Sequence, residues 1–170
     1  MKRTPIIAGN WKMFKTVQEA VGTAKQLADI VSDVSEKDVM IAPPFTALAA
    51  VGAALQDATI AVGAQNLHWE SQGAFTGEIA PAMVKAAGCR YAIIGHSERR
   101  QLFGETDESV NRKVHAVAEA GLGTILCIGE TLEERESDST LDVLRRQVRF
   151  ALRNLSTEQM AHAIVSGISR

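Results

Sequence analysis

The chain has 170 residues, 46% hydrophobic and 22% charged, which suits one soluble globular domain over residues 1–170 with a real core. Its formal net charge of −2 gives no argument for nucleic acid or an anionic membrane surface as a partner. No segment approaches the roughly 20 apolar residues of a membrane span, and the N-terminal MKRTPIIAGNWKM has too short an apolar run for a signal peptide, so a cytoplasmic protein is expected.

The first apolar run, Ile6-Ile7-Ala8, reads as a strand that ends in Gly9 and is followed by Asn10, Trp11 and Lys12. Val17, Val21, Ala24, Leu27, Ala28 and Val31 then fall at helical intervals with polar residues between them. Val39–Ala42 and Ile60–Ala64 read as the next strands. A long polar segment follows, Gln65 to Glu78, holding Trp69, Gly73 and Gly77. Loops of this length are uncommon in compact domains; this one is either a plain surface loop or a docking loop for another subunit.

Tyr91–Ile94 is a buried strand, Gly95 breaks it, and His96-Ser97-Glu98-Arg99-Arg100 opens a helix. Asp107 to Ala120 is a second amphipathic helix, with Val110, Val114, Val117 and Ala118 on one face and Gly121 as its stop. Thr124–Ile128 is a strand, and Thr131-Leu132-Glu133-Glu134 after it has the spacing of a capping box. Leu141–Leu152 is a helix rich in arginine on its exposed side, and Ala163–Val165 begins a last strand. Cys89 and Cys127 both lie in apolar runs and are expected as buried thiols in a reducing compartment.

The order βαβαβα, with continuous apolar strands such as VMIAPP and GTILCIG, predicts a parallel sheet covered by helices. An open doubly wound sheet and a (β/α)8 barrel both fit. The sequence has no G-x-G-x-x-G after its first strand and no G-x-x-x-x-G-K-[ST], so the barrel is favoured. A site is then expected on the carboxyl edge of the sheet, where Gly9 and Gly95 each precede polar residues.

Lys12 reads as a surface lysine at a strand exit, or as a fixed cation for a phosphate or a developing enolate oxygen. His96 stands at a helix N-terminus, whose dipole disfavours the imidazolium; a neutral ring there donates to a substrate carbonyl, unless its role is structural. Ser97 reads as the helix N-cap. Glu98 reads as a salt-bridge partner of Lys12, Arg99 or Arg100, with a catalytic carboxylate as the alternative. His68, His96, His115 and His162 have no ligand spacing with one another or with the cysteines, so no metal is expected. Serine or cysteine nucleophile chemistry has no nucleophile elbow to rest on.

Taken together, GNWKM, APPFTAL, GAQNLHWESQGAFTGEIAP, YAIIGHSERRQLFGE and CIGETLEER resemble the triose-phosphate isomerase family, in that family's order, from Ile6 to about Val165. The resemblance implies a (β/α)8 barrel and cofactor-free interconversion of dihydroxyacetone phosphate and glyceraldehyde 3-phosphate through an enediolate. It implies a homodimer in which the loop around Phe75 and Thr76 enters the neighbouring subunit. It gives Asn10 and Lys12 to substrate binding and His96 to polarising the carbonyl, with Ser97 and Glu98 beside them. That family is itself the worked case of histidine tuning at a helix N-terminus. The resemblance departs at strand six, where the family carries its catalytic glutamate in a Y-E-P-V-W segment leading into a mobile lid. Here Ala163-Ile164-Val165 runs into Ser166-Gly167-Ile168-Ser169-Arg170, and Ile168 falls about where the glutamate is expected. The expectation is therefore an incomplete barrel of five to six βα units, weak or inactive by itself. A non-catalytic partial-barrel module for binding or assembly is the alternative.

Overall fold

The computed structural model describes residues 4–167. Ile168, the expected position of the missing base, lies outside them. Six strands, β1 (Ile6–Asn10), β2 (Asp38–Ala42), β3 (Ala61–Ala64), β4 (Cys89–Ile94), β5 (Gly123–Ile128) and β6 (Ala163–Gly167), form one sheet in the order β1-β2-β3-β4-β5-β6. Every neighbouring pair is parallel, with Gly9 opposite Ile41, Ile93 opposite Ile125 and Leu126 opposite Val165. A doubly wound sheet would reverse its strand order at a switch point, whereas a barrel adds each strand beside the last. The order settles the alternative that periodicity left open. Among the described residues the sheet does not close, and β1 and β6 are its edges.

Among the described residues there are eight α-helices: α1 (Val17–Ile30), α2 (Leu48–Ala54), α3 (Pro81–Ala86), α4 (Ser97–Leu102), α5 (Asp107–Glu119), α6 (Leu132–Glu136), α7 (Thr140–Ala151) and α8 (Thr157–Ala161). Their starts follow local chemistry. Thr16 with Glu19, Thr106 with Ser109, Thr131 with Glu134 and Ser156 with Gln159 each form a capping box, which satisfies backbone donors the first turn cannot use. Thr106→Ala removes one such acceptor and should cost about 1 kcal/mol. Urea denaturation would show it as a lower midpoint at unchanged slope, and an unchanged midpoint would refute it.

Side chains alternate between two layers, as the pleat of a strand requires. Ile41, Val62, Ile94 and Leu126 face the helices and pack with Val51, Val84, Val110 and Val117, all almost fully buried. Their neighbours Met40, Ala61, Ile93 and Ile125, with Cys127, form a smaller cluster on the opposite face, which Ile6, Tyr91 and Ile164 flank. Cys89 and Cys127 are buried free thiols. Burial pushes the Cys89 thiol up to about 12 and the Cys127 thiol up to about 11, so neither is a ready nucleophile. Among the described residues no helix is long and apolar enough to cross a membrane.

Candidate functional site

Two strand ends build the site. At the exit of β1 the backbone turns sharply, and Lys12 takes φ +51°, a left-handed conformation that costs a residue with a side chain about 1 kcal/mol. Its N–H donates to Asn10 Oδ1 at 3.0 Å. At the exit of β4, Gly95 supplies the turn with φ +76°. A Cβ on Gly95 would stand 3.1 Å from the Cys127 carbonyl oxygen, so the glycine also allows β4 and β5 to approach.

The turn at Gly95 places the helix start one residue earlier than the serine implied. His96, not Ser97, is the N-cap of α4, with φ −56° and ψ 140°. Its ring Nδ1 accepts the Glu98 N–H at 3.3 Å, and Ser97 is the first helical residue. The sequence expectation for Ser97 is corrected accordingly: a histidine in the extended position before the helix can present an sp² nitrogen where serine would present its hydroxyl.

An Nδ1 that accepts a backbone N–H is unprotonated, so a neutral ring carries its proton on Nε2. Glu98 Oε2 lies 3.5 Å from the same Nδ1. A protonated ring could pair with that carboxylate only by giving up the backbone bond.

Glu98 turns its other oxygen, Oε1, to the Lys12 ammonium at 2.8 Å. Of the three partners the sequence allowed, Lys12 forms an ion pair with it. Arg99 donates from Nε to Glu105 Oε1 at 2.8 Å. Arg100 donates to the Gly95 carbonyl at 2.9 Å and to Asp107 Oδ1 at 2.7 Å. The Lys12–Glu98 pair is half exposed, so it contributes only about 0–1 kcal/mol to stability. Its consequence is positional: the one carboxylate stands 2.8 Å from the Lys12 ammonium and 3.5 Å from His96 Nδ1, so both groups are held at the same cavity.

Asn10, Lys12, His96 and Glu98 share one open cavity of about 640 Å³ with Gln65, Asn66 and Arg99. Its outer wall is apolar and exposed, formed by Met13, Phe14, Phe45, Leu102 and Phe103. Phe75 and Thr76 stand apart from this cavity, exposed on the 65–78 loop. That loop is a folded object: His68 stacks on Trp69 at 4.2 Å between ring centroids and meets Phe75 at 4.4 Å. Its base is closed by His68 N–H donating to the Ile79 carbonyl at 2.9 Å.

Beneath the cavity lies a charged cluster that sequence reasoning missed. Lys113, on the polar-looking side of α5, is 4% exposed. Its ammonium donates to Asn66 Oδ1 at 2.8 Å and to Glu105 Oε1. Burial alone would raise the Glu105 carboxyl, but the hydrogen bonds from Lys113 and Arg99 outweigh it and hold the group below the usual carboxylate range. Gln65 was also missed as a site residue. Its position directly after the apolar run of β3, at the sheet edge that also carries Asn10 and His96, was the available signal.

Comparison with known proteins agrees with the geometry. The family profile described as triosephosphate isomerase matches residues 5–166. A triosephosphate isomerase of Syntrophotalea carbinolica is 57% identical over 164 residues, covering 96% of this chain and 65% of that protein. Those of Geobacter metallireducens and Carboxydothermus hydrogenoformans are each 51% identical over the same length and share. A crystal structure of the Bartonella henselae triosephosphate isomerase superposes with a TM-score of 0.88 at 39% identity, covering 97% of this chain and 68% of that one. The chain thus spans about 65% of the length of the curated relatives it matches.

Proposed function

The chain belongs to the triosephosphate isomerase family, and on that premise we propose that its cavity binds a phosphorylated triose and polarises the carbonyl during interconversion of dihydroxyacetone phosphate and glyceraldehyde 3-phosphate. The observation that carries the reading is the convergence of the Lys12 ammonium and the His96 ring on one cavity at the carboxyl edge of a barrel-type sheet. Removing a proton from the carbon beside a carbonyl pushes negative charge onto the carbonyl oxygen. A neutral His96 donates Nε2–H to that oxygen, and Lys12 supplies a fixed positive charge to the same anionic species. Asn10 braces Lys12 through its amide oxygen and lines the pocket beside it. No cofactor enters the scheme, because the electrons stay within the triose.

The chemistry also needs a base, and Glu98 is the one carboxylate lining the cavity among the described residues. It is engaged by Lys12 at 2.8 Å and stands on the Nδ1 side of His96, away from the donating nitrogen. The base of the family reading is the glutamate after strand six.

Titration of the 170-residue protein with glycerol 3-phosphate, a phosphorylated triol that cannot isomerise, tests the binding reading. The Lys12 and His96 side-chain NMR signals should shift, and Lys12→Met should weaken binding at least about tenfold, as loss of a charge-assisted contact implies. No shift at either residue at millimolar ligand would sink the reading.

A homodimer follows from the same family reading. The exposed apolar wall of Met13, Phe14, Leu102 and Phe103 suits a partner's loop, and the folded loop presenting Phe75 suits entry into such a wall. Light scattering should give twice the monomer mass for the unaltered chain and the monomer mass for Phe75→Asp. The same mass for both would exclude this loop as the contact. The assembly-module alternative is favoured by a different observation, the exposed Ile7 and Val165 on the two edge strands. It predicts self-association that Phe75→Asp leaves intact.

A further inference from the structure

We propose that Gln65 is the positioning residue for Lys12, holding its backbone in the left-handed conformation that aims the ammonium into the cavity. The proposal rests on the reading of Lys12 as the cation for a phosphorylated triose.

Gln65 is the first residue after β3 and is half-buried. Its carboxamide nitrogen has two protons, and both are used: Nε2 donates to the Lys12 carbonyl at 2.8 Å and to the Ala42 carbonyl at 2.9 Å. Ala42 is the last residue of β2, and its oxygen also accepts the Trp11 N–H at 3.1 Å. The Lys12 N–H is taken by Asn10. One side chain therefore ties the ends of β1, β2 and β3 together and secures the carbonyl of a residue whose φ of +51° an L-amino acid rarely adopts.

The chemistry is selective for glutamine. Glutamate would set carboxylate oxygens against two carbonyl oxygens. Asparagine is one methylene shorter, and leucine fills similar space without donating. Neither acceptor is orphaned by the loss of Gln65, since Ala42 keeps Trp11 and Lys12 is exposed to water. The effect should therefore be local.

Amide hydrogen exchange on the 170-residue protein provides the test, with glycerol 3-phosphate affinity measured beside it. In Gln65→Leu, protection of the Lys12 amide should fall about 3- to 10-fold, the net worth of one neutral hydrogen bond. Protection of Ile93 and Leu126 in the core should not change, and the dissociation constant should rise by a similar factor. Gln65→Asn should give the same pattern and serves if the leucine variant does not fold. In a Lys12→Gly background the left-handed conformation is open without strain, so Gln65→Leu should change nothing at residue 12. An unaltered Lys12 amide in Gln65→Leu, or a loss spread evenly over the core strands, would overturn the proposal. A selective loss at Lys12 with no change in ligand affinity would uphold Gln65 as holding Lys12 and overturn its bearing on the ligand, and with it the reading of Lys12 as the cation for a phosphorylated triose.

Discussion

Glu105→Leu should destabilise the fold by about 3–5 kcal/mol, the cost of leaving one member of a buried ion pair without its partner. The Glu105 side chain is 4% exposed and accepts from both Arg99 and Lys113. With the carboxylate gone, Lys113 keeps only the neutral oxygen of Asn66 for a buried ammonium. Lys113→Met should cost less, because Glu105 retains Arg99. The double variant should recover part of the loss, and the double-mutant cycle should give a coupling well above 0.5 kcal/mol, the ordinary scatter of independent sites. Additive losses would refute the pairing.

The same group sets an acid limit. Its folded pKa lies below the unfolded value of about 4.3, so its contribution is present above that pH and fades as pH falls through the folded pKa. As pH falls below that unfolded value, the unaltered protein should therefore lose stability more steeply than Glu105→Gln. Parallel pH profiles would mean that the carboxylate is not held by Lys113 and Arg99. The cluster joins α4, α5 and the residue after Gln65, so loosening it should also blur the NMR signals of His96 and Lys12.

The 170-residue polypeptide, assayed by itself with glyceraldehyde 3-phosphate, should turn over roughly 10²- to 10⁴-fold more slowly than its full-length relatives, the usual contribution of a positioned general base. The cavity offers a donor in His96 and a cation in Lys12, yet its one lining carboxylate is bound to that cation. If Glu98 acted as a substitute base, it would have to leave Lys12 and reach the opposite side of the His96 ring. Lys12→Met should lower any residual turnover further, since it removes charge stabilisation that grows along the reaction. The measurement needs the intact mass of the same sample. Rapid turnover at the mass of 170 residues would refute the requirement for the strand-six glutamate. Slow turnover that a separately supplied segment carrying the family's strand-six glutamate restores would support it.

Much of this molecule was written locally. The alternation that puts Ile93 on one face and Ile94 on the other is a two-residue period, and any chain carrying it reads the same in isolation. The Thr131–Glu134 capping box and the helix stop at Gly121 depend on neighbours within a turn, and both stand where the residues implied. The short helices α2, α3 and α8, of five to seven residues, are too brief to show a helical period; packing on the sheet holds them. His96 displaced Ser97 as the cap because the turn at Gly95 fixed where α4 begins.

The sequence by itself determined the βα units and the strand ends that carry Asn10, Lys12 and His96, because strand, turn and cap are decided within a few residues. The tertiary structure alone decided the strand order, the burial of Lys113 and the grip of Gln65 on Lys12. Those depend on partners 47 and 53 residues apart, and no local period encodes which distant carbonyl or carboxylate a side chain will meet once the sheet has curled.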